Sequence, residues 1–433
     1  MAAGVRPARA VAAVPAGHRC DLCAPMAQRP IIDDVEGDEL VAAAYRLDAY
    51  EVGRLLYDGV DPNGLAGGGR TALSVAAEMG TWLIVEMLLR HGADPRVPDA
   101  DGRLPYDIAA GRAYADVAAE LERTAAAFVE GSAGSVVIVT TREDIGDAIQ
   151  LIRVQVRGDD GSVTEFAMQT GHLAIVTDLE TKLGMRVPFT ELAERALSGP
   201  AEGAVWWAVA DALTPRADAE TFAAAARLCD SPRLLERRLG ADVIGMFGNG
   251  DDMAKEPSFH ARAVAILRRL ADREHDPEML KWVVTWLGHR KAPALPELLS
   301  LVDHDGQDVR EAVARNLPAI MSAGHPDGLA ALIRLSRDPC ERVRDWATTG
   351  LAIADQDTQA IRAALTARLD DPHLTTALEA ARGLAARGDH IALGPVHRLL
   401  TDSAAPGLYA YDLAIEVAEK LGATDLIAGL RTR

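Results

Sequence analysis

The chain has 433 residues, which exceeds one compact core and predicts two or three domains or one long repeat array. Apolar residues make up 49% of it and aromatic residues only 4%, which indicates a core of short side chains suited to stacked helices. The formal net charge of -19 disfavours a surface that engages nucleic acid or anionic lipid as a whole, and allows only a local basic site.

The cysteine count and the apolar runs bear on location and cofactors. Four cysteines are too few for a disulfide framework, so we expect a reducing cytoplasm. Cys20 and Cys23 form a Cys-x-x-Cys pair without a second pair to complete a zinc site, and we expect no cofactor. No apolar run approaches the roughly 20 residues that span a bilayer.

Residues 1–32 lack periodicity and predict a disordered leader, with Met26 as an alternative start.

A period of 33 residues follows the leader. Residues 69–96 read as a short helix, a Gly turn, a longer helix and a second turn. Asp61 returns 33 residues later as Asp94, and Ala76 returns as Ala109. Periods of this length predict helix pairs that stack on one another.

These units resemble the ankyrin-repeat family, which implies a protein-binding array. The positions that carry the resemblance in the best-preserved unit are Gly69, Thr71, Leu73, Ala76, Ala77, Gly80, Ile84, Val85, Leu88, Leu89, Gly92, Ala93 and Asp94. Ser74 replaces the family's histidine, so the usual bonding from histidine to the backbone is missing. Glu122 replaces a leucine, as expected of a capping repeat with a polar outer face. We assign residues 33–130 to ankyrin-like repeats.

Residues 135–188 interrupt the helical pattern after a Gly/Ser hinge at 131–135 and predict a small α/β or β-rich connecting module. Residues 135–140 are a β-branched run. Two alternating segments, 151–157 and 162–168, flank a Gly-Asp-Asp-Gly turn, which is a hairpin signal. No motif in the module indicates a function.

Residues 189–433 are helical again. Asp305, Asp338 and Asp371 lie 33 residues apart, and each stands at the start of a helix pair. Pairs of roughly 30 to 40 residues are typical of α-solenoids. This region resembles HEAT repeats, which implies that Arg310, Arg344 and these aspartates bond neighbouring units. The predicted fold class is therefore mainly α: ankyrin-like repeats, the small connecting module and a C-terminal HEAT-like α-solenoid.

Motifs for catalysis are missing from the sequence. It has no P-loop, no Gly-x-Ser-x-Gly elbow and no His-Glu-x-x-His helix, so we predict that it is not an enzyme. The Gly-rich segment 245–252 ends in carboxylates that would repel a phosphate, and we interpret it as a loop between helices. The preferred function is a non-catalytic adaptor or scaffold that binds proteins.

Four residues of the ankyrin-like units are the predicted partner contacts. Trp82 occupies a variable position of the best-preserved unit, and Arg70 and Arg103 lie at successive loop tips, with Arg96 in the loop between them. Loop tips and inner helices are the surfaces that such arrays usually offer.

A second candidate is a groove in the HEAT-like region. Arg262, Arg269 and Arg273 share a face of one helix, within about 40°. Trp282 and Trp286 lie off the apolar stripe of the next helix. Basic and aromatic groups on adjacent helices can hold an anionic or nucleic-acid ligand. The alternative is that both tryptophans pack on the next repeat.

The groove supports an alternative function. The region also resembles DNA-alkylation-repair glycosylases, which implies nucleic-acid binding, although the acidity of the chain counts against it.

Two other tryptophans, Trp206 and Trp346, are in step with apolar positions and are predicted to lie in the core.

Overall fold

The structure is a computed structural model that describes residues 39–66, 69–130, 135–247, 257–322, 324–401 and 408–431. The expected leader 1–32, the pair Cys20 and Cys23, most of the hinge 131–135 and the acidic end of segment 245–252 lie outside the described residues. The described part is mainly helical with one small sheet, which confirms the predicted fold class. The chain divides into two compact units, with the boundary between Leu239 and Gly240. The predicted domain boundaries stay predictions.

The first unit begins with helix pairs. Its first six helices are α1 (Glu39–Tyr45), α2 (Ala49–Tyr57), α3 (Ala72–Met79), α4 (Trp82–Arg90), α5 (Pro105–Ala110) and α6 (Val117–Val129). Helices α1 and α2 pack as one pair, and α3 and α4 as the next. Helices α1, α3 and α5 pack side by side in a row. The repeat period in the sequence therefore corresponds to a repeat of packed helix pairs.

Helix α3 shows how the sequence sets these boundaries. The Thr71 hydroxyl accepts from the Ser74 amide, and the Ser74 hydroxyl oxygen accepts from the Thr71 amide, both at 3.1 Å. This capping box satisfies amides that a helix start leaves without partners. Gly80 ends the helix at φ 69°, a conformation that glycine adopts without strain. Ser74, the departure from the ankyrin pattern, thus serves as a cap.

The connecting module contains an antiparallel sheet. Its strands are β1 (Val136–Asp144), β2 (Gln150–Gly158) and β3 (Val163–Gln169), in the order β1-β2-β3. The Gly-Asp-Asp-Gly segment forms the turn between β2 and β3, as predicted. Helix α6 packs on the sheet, with Leu121 and Ala125 in one apolar cluster with Val154 and Phe166.

The row of helices continues after the sheet. The next helices are α7 (His172–Leu183), α8 (Phe189–Leu197), α9 (Ala204–Leu213), α10 (Ala219–Leu228) and α11 (Leu234–Met246). Helix α7 packs beside α5, and α9 packs beside α7. Ile175 and Leu179 of α7 belong to the apolar cluster that also holds Leu73 and Val85. The sheet is therefore an insertion in one continuous row of packed helices.

The second unit consists of stacked helix pairs. It includes the part of α11 from Gly240 onwards. Its other helices are α12 (Pro257–Arg273), α13 (Pro277–His289), α14 (Leu295–Ser300), α15 (Gln307–Ile320), α16 (Pro326–Leu335), α17 (Glu341–Ala352), α18 (Gln359–Thr366), α19 (Leu374–Ala385), α20 (Leu393–Thr401), α21 (Leu408–Lys420) and α22 (Thr424–Arg431). Helices α13, α15, α17, α19 and α21 form one layer, in which each packs on the next. We call this layer the odd layer, and the even-numbered helices pack against it.

Arginine–aspartate pairs join neighbouring helix pairs in the second unit. Arg310 Nε and Nη2 donate to the Asp338 carboxylate at 2.7 and 3.0 Å. Arg344 makes the same two bonds to Asp371, at 2.9 and 3.1 Å. Both carboxylates and both guanidinium groups are largely buried. The expected role in bonding neighbouring units is confirmed for Arg310, Arg344, Asp338 and Asp371, whereas Asp305 offers only its backbone carbonyl, to Arg310 at 3.0 Å.

Candidate functional site

Two loops of the repeat region carry the exposed groups of the first candidate surface. One loop leads from α2 to α3 and contains Leu65, which is 59% exposed, and Arg70. The next loop leads from α4 to α5 and contains Arg96 and Arg103, both exposed. We call Leu65, Arg96 and Arg103 the loop-tip surface.

Hydrogen bonds within and between the loops hold this surface in place. The buried Asp99 carboxylate accepts from Arg103 Nη2 at 2.8 Å and from the Arg103 amide at 2.9 Å. Burial alone would raise the pKa of Asp99, but these bonds outweigh it and lower the pKa. Asn63 links the two loops, since its Oδ1 accepts from the Asp94 amide at 2.7 Å. These bonds join the two loops and hold the Arg103 side chain against Asp99.

Arg70 is turned away from the loop-tip surface. Its guanidinium donates to the Glu78 carboxylate and lies 5.8 Å from the centre of the Tyr45 ring. The side chain is only about one-fifth exposed. Arg70 therefore belongs with the packing of α3, and its proposed contact with a partner is not supported by its position.

The predicted surface position of Trp82 is wrong. The residue is 2% exposed, and its Nε1 donates to the Asp178 carboxylate of α7 at 2.8 Å. Trp82 opens α4, and α4 packs against α7. The variable position faces this later helix, which the ankyrin pattern does not include.

Trp286 is also buried, against the expectation that it lines a groove. It is 1% exposed, and its Nε1 donates to the buried Asp242 carboxylate at 2.7 Å. Gly245 leaves room for the indole ring, because a Cβ there would meet the ring at 2.3 Å. The alternative, packing on a neighbouring helix, is correct for this tryptophan. Trp206, 1% exposed, is confirmed as a core residue.

The other members of the predicted groove lie on α12 and α13. Arg262, Arg269 and Arg273 of α12 are exposed, and Trp282 of α13 is half-buried. Arg262 lies over the Phe259 ring, with its Cζ 5.6 Å from the ring centre. The open groove beside Trp282 is lined by α13, α15 and α17 of the odd layer instead.

This groove on the odd layer has a volume of about 280 Å³. Its described lining residues are Lys281, Trp282, Thr285, Asp308, Glu311, Ala312, Arg315 and Arg342. Trp346 borders it, since the Arg315 guanidinium lies 5.9 Å from the Trp346 ring centre. Trp346 is 37% exposed, so its predicted core position is wrong. Arg342, four residues earlier, could have indicated a solvent-facing side of α17.

Neither a metal site nor a membrane-spanning helix is found among the described residues. No group of three or more His, Cys, Asp or Glu side chains is placed to hold a metal ion in this part of the chain. Within the same residues, no helix is both long and apolar enough to cross a bilayer.

The stacked helix pairs define a helical-repeat protein, with exposed groups on two loops and an open groove on the odd layer. The ankyrin family description "Ankyrin repeats (many copies)" matches residues 55–109. Cyclin-dependent kinase 4 inhibitor B of Bos taurus is 35% identical over 121 residues, covering 20% of this chain and 92% of the relative. The same-named human protein is 35% identical over 120 residues, covering 20% and 86%. The chain belongs to the ankyrin-repeat family.

Solved structures resemble the chain more weakly. The Escherichia coli protein YibA is 22% identical and covers 57% of this chain and 86% of its own, with a TM-score of 0.45. A score at this level does not establish a common fold for the two chains.

Proposed function

We propose that this protein is a non-catalytic scaffold in the cytoplasm that binds a partner protein through the loop-tip surface. The observation that carries the proposal is the exposure of Leu65, Arg96 and Arg103 on two loops of an ankyrin-repeat protein. Arginine is among the residues enriched in protein interfaces. The hydrogen bonds of Asn63 and Asp99 already order part of these loops, which lowers the entropy cost of binding.

The named relatives agree with a protein ligand. Their name describes inhibitors of another protein, a kinase. We extend to this chain the general mode, binding of a folded protein partner, and not the identity of that partner.

We also propose that the helix pairs of the second unit are HEAT-type repeats. The pairs Arg310–Asp338 and Arg344–Asp371 support this, because they recur between neighbouring helix pairs at equivalent positions. The domains at 33–130, 135–188 and 189–433 are part of the same proposal. They would make the chain a scaffold with two repeat regions.

Site-specific photo-crosslinking in the full-length chain tests the proposal. A photo-reactive amino acid replaces Leu65, and in a matched variant it replaces Tyr57 of α2, which is 89% exposed. We expect a discrete crosslinked protein from cell extract at position 65 and none at position 57. The Arg96→Ala/Arg103→Ala variant should reduce that crosslink about tenfold, as expected when interface arginines are removed. No crosslink, or equal crosslinking at both positions, would refute the proposal.

A further inference from the structure

One cationic side chain in the groove on the odd layer, Arg315, makes no ion pair with the described residues. Among the described residues, no carboxylate lies within ion-pair distance of Arg315, although Lys281 pairs with Glu278 at 2.5 Å and Arg342 with Glu311 at 2.8 Å. Arg315 Nη2 donates to the Thr285 hydroxyl at 3.1 Å. A guanidinium has five N–H donors, so most of those on Arg315 stay available to a ligand.

The surroundings of Arg315 favour an anion at this place. Neighbouring side chains exclude water from part of the guanidinium and so lower the pKa of Arg315. The Arg315 side chain is nonetheless exposed, so a ligand in the groove can reach it. The charge of Glu311, which pairs directly with Arg342, opposes this lowering only in part. A partly desolvated cation without a direct ion pair gains more from a carboxylate than a fully hydrated one does.

Aromatic rings stand on both sides of this cation. Trp282, on α13, and Trp346, on α17, flank Arg315 of α15 in the order in which the three helices pack. The Arg315 Cζ lies 5.9 Å from the centre of the Trp346 ring, within reach of a cation–π contact. The half-buried Trp282 ring and the exposed Trp346 ring offer apolar contact to a chain laid across the helices.

The charges of the groove distinguish between two kinds of anionic ligand. Asp308 and Glu311 also line it, so a nucleic-acid strand with a phosphate at every residue would meet two carboxylates. A polypeptide can place one carboxylate on Arg315 and neutral residues elsewhere. We propose that the groove binds an extended peptide segment of a partner protein by an aspartate or glutamate side chain, which bonds Arg315 between Trp282 and Trp346.

Peptide selection on the full-length chain tests this inference. A phage-displayed library of random dodecapeptides is selected on the natural chain and on Arg315→Gln. We expect the natural chain to enrich peptides with Asp or Glu, and synthetic copies of them to bind Arg315→Gln about tenfold more weakly. Arg334→Gln is the matched control, because this exposed arginine lies on α16 and pairs with Asp303. It should change the affinity by less than about twofold.

Charge reversal and a nucleic-acid probe complete the test. The Arg315→Glu variant should select peptides with Lys or Arg in place of the acidic residue. Selected peptides without an acidic residue, or equal affinity for Arg315→Gln, would overturn the inference. So would Arg315-dependent binding of a 20-nucleotide DNA strand without acidic peptides. The groove lies in the second unit, so a failed crosslink at the loop-tip surface of the first unit leaves this result unaffected.

Discussion

Two contacts between helix pairs, one in each unit, are made by different means. In the first unit, the turn after α3 touches the start of α7 so closely that the Gly171 amide donates to the Gly80 carbonyl at 3.1 Å. In the second unit, Arg310 and Arg344 span the joints as charged pairs with Asp338 and Asp371.

The difference predicts which substitutions each of the two contacts tolerates. A joint made by close backbone approach and apolar packing has no room for added atoms, whatever their polarity. A joint made by a buried ion pair fails when one partner is removed, because the other charge stays buried alone. We therefore expect the size of the side chain to decide at Gly80 and its charge to decide at Asp371.

The largest effect is expected from Gly80→Ala in the first unit. A Cβ at this position would meet the Gln169 carbonyl oxygen at 2.1 Å, and φ is +69°. We expect a loss of about 4 kcal/mol in unfolding free energy, the sum of backbone strain and overpacking. Gly92→Ala is the control, because φ is +92° there but nothing lies within 4 Å. It should cost about 1 kcal/mol, measured by urea denaturation. Equal losses would show that the close approach is unimportant.

Asp371→Ala should break the joint in the second unit. It leaves the Arg344 guanidinium, which is largely buried, without its carboxylate, at a cost of about 3 kcal/mol. Hydrogen exchange should report faster exchange in α17 and α19 and no change in α3. Asp370→Ala, the adjacent and exposed aspartate, should cost less than about 1 kcal/mol. If both variants behave alike, the charged joint does not hold these helices together.

A smaller, graded effect is expected from pH. Burial would raise the pKa of Asp371, but hydrogen bonds from Arg344 and the His373 amide outweigh it and lower the pKa. An acid with a lowered pKa in the folded state stabilises fully above its unfolded pKa, about 4, and loses this contribution as pH falls further. The thermal midpoint should therefore fall between pH 5 and pH 3 less steeply in Asp371→Asn than in the natural chain. Parallel curves would contradict this.

The smallest effect is expected from Trp82→Phe. It removes the Nε1 bond to Asp178 and a small part of the buried ring system, so we expect a loss of about 1 to 2 kcal/mol. Asp178→Asn keeps an acceptor for Nε1 and should cost less. Denaturation of both variants measures the difference, and a larger loss in Asp178→Asn would contradict this account of the bond.

Periodic features were predictable from the sequence. The spacing of Ala76 and Ala109, the β-branched run and the Gly-Asp-Asp-Gly turn predicted helix pairs and a hairpin, because local pattern decides such elements. The aspartates at 33-residue intervals predicted the charged joints, because a repeat places equivalent residues at equivalent contacts.

Tryptophan burial was not predictable in the same way. Trp82 is covered by α7, far along the chain, and Trp286 by α11, which lies two helices earlier. The periodicity of one helix cannot say which of its faces meets such a distant neighbour. The error for Trp346 is the opposite one. Its spacing from apolar residues of α17 predicted a core position, but the side chain is exposed.

The inserted sheet also affects how the chain is made. The neighbour of α5 in the row is α7, and the ribosome must complete all three strands before it makes α7. The strands pair only with sequence neighbours, a local topology that forms quickly, and α6 packs on them. During synthesis the sheet and α6 can therefore fold while the face of α5 that later packs on α7 is still exposed. A nascent chain arrested after β3 should bind chaperones that recognise apolar surface, and one arrested after α7 should release them.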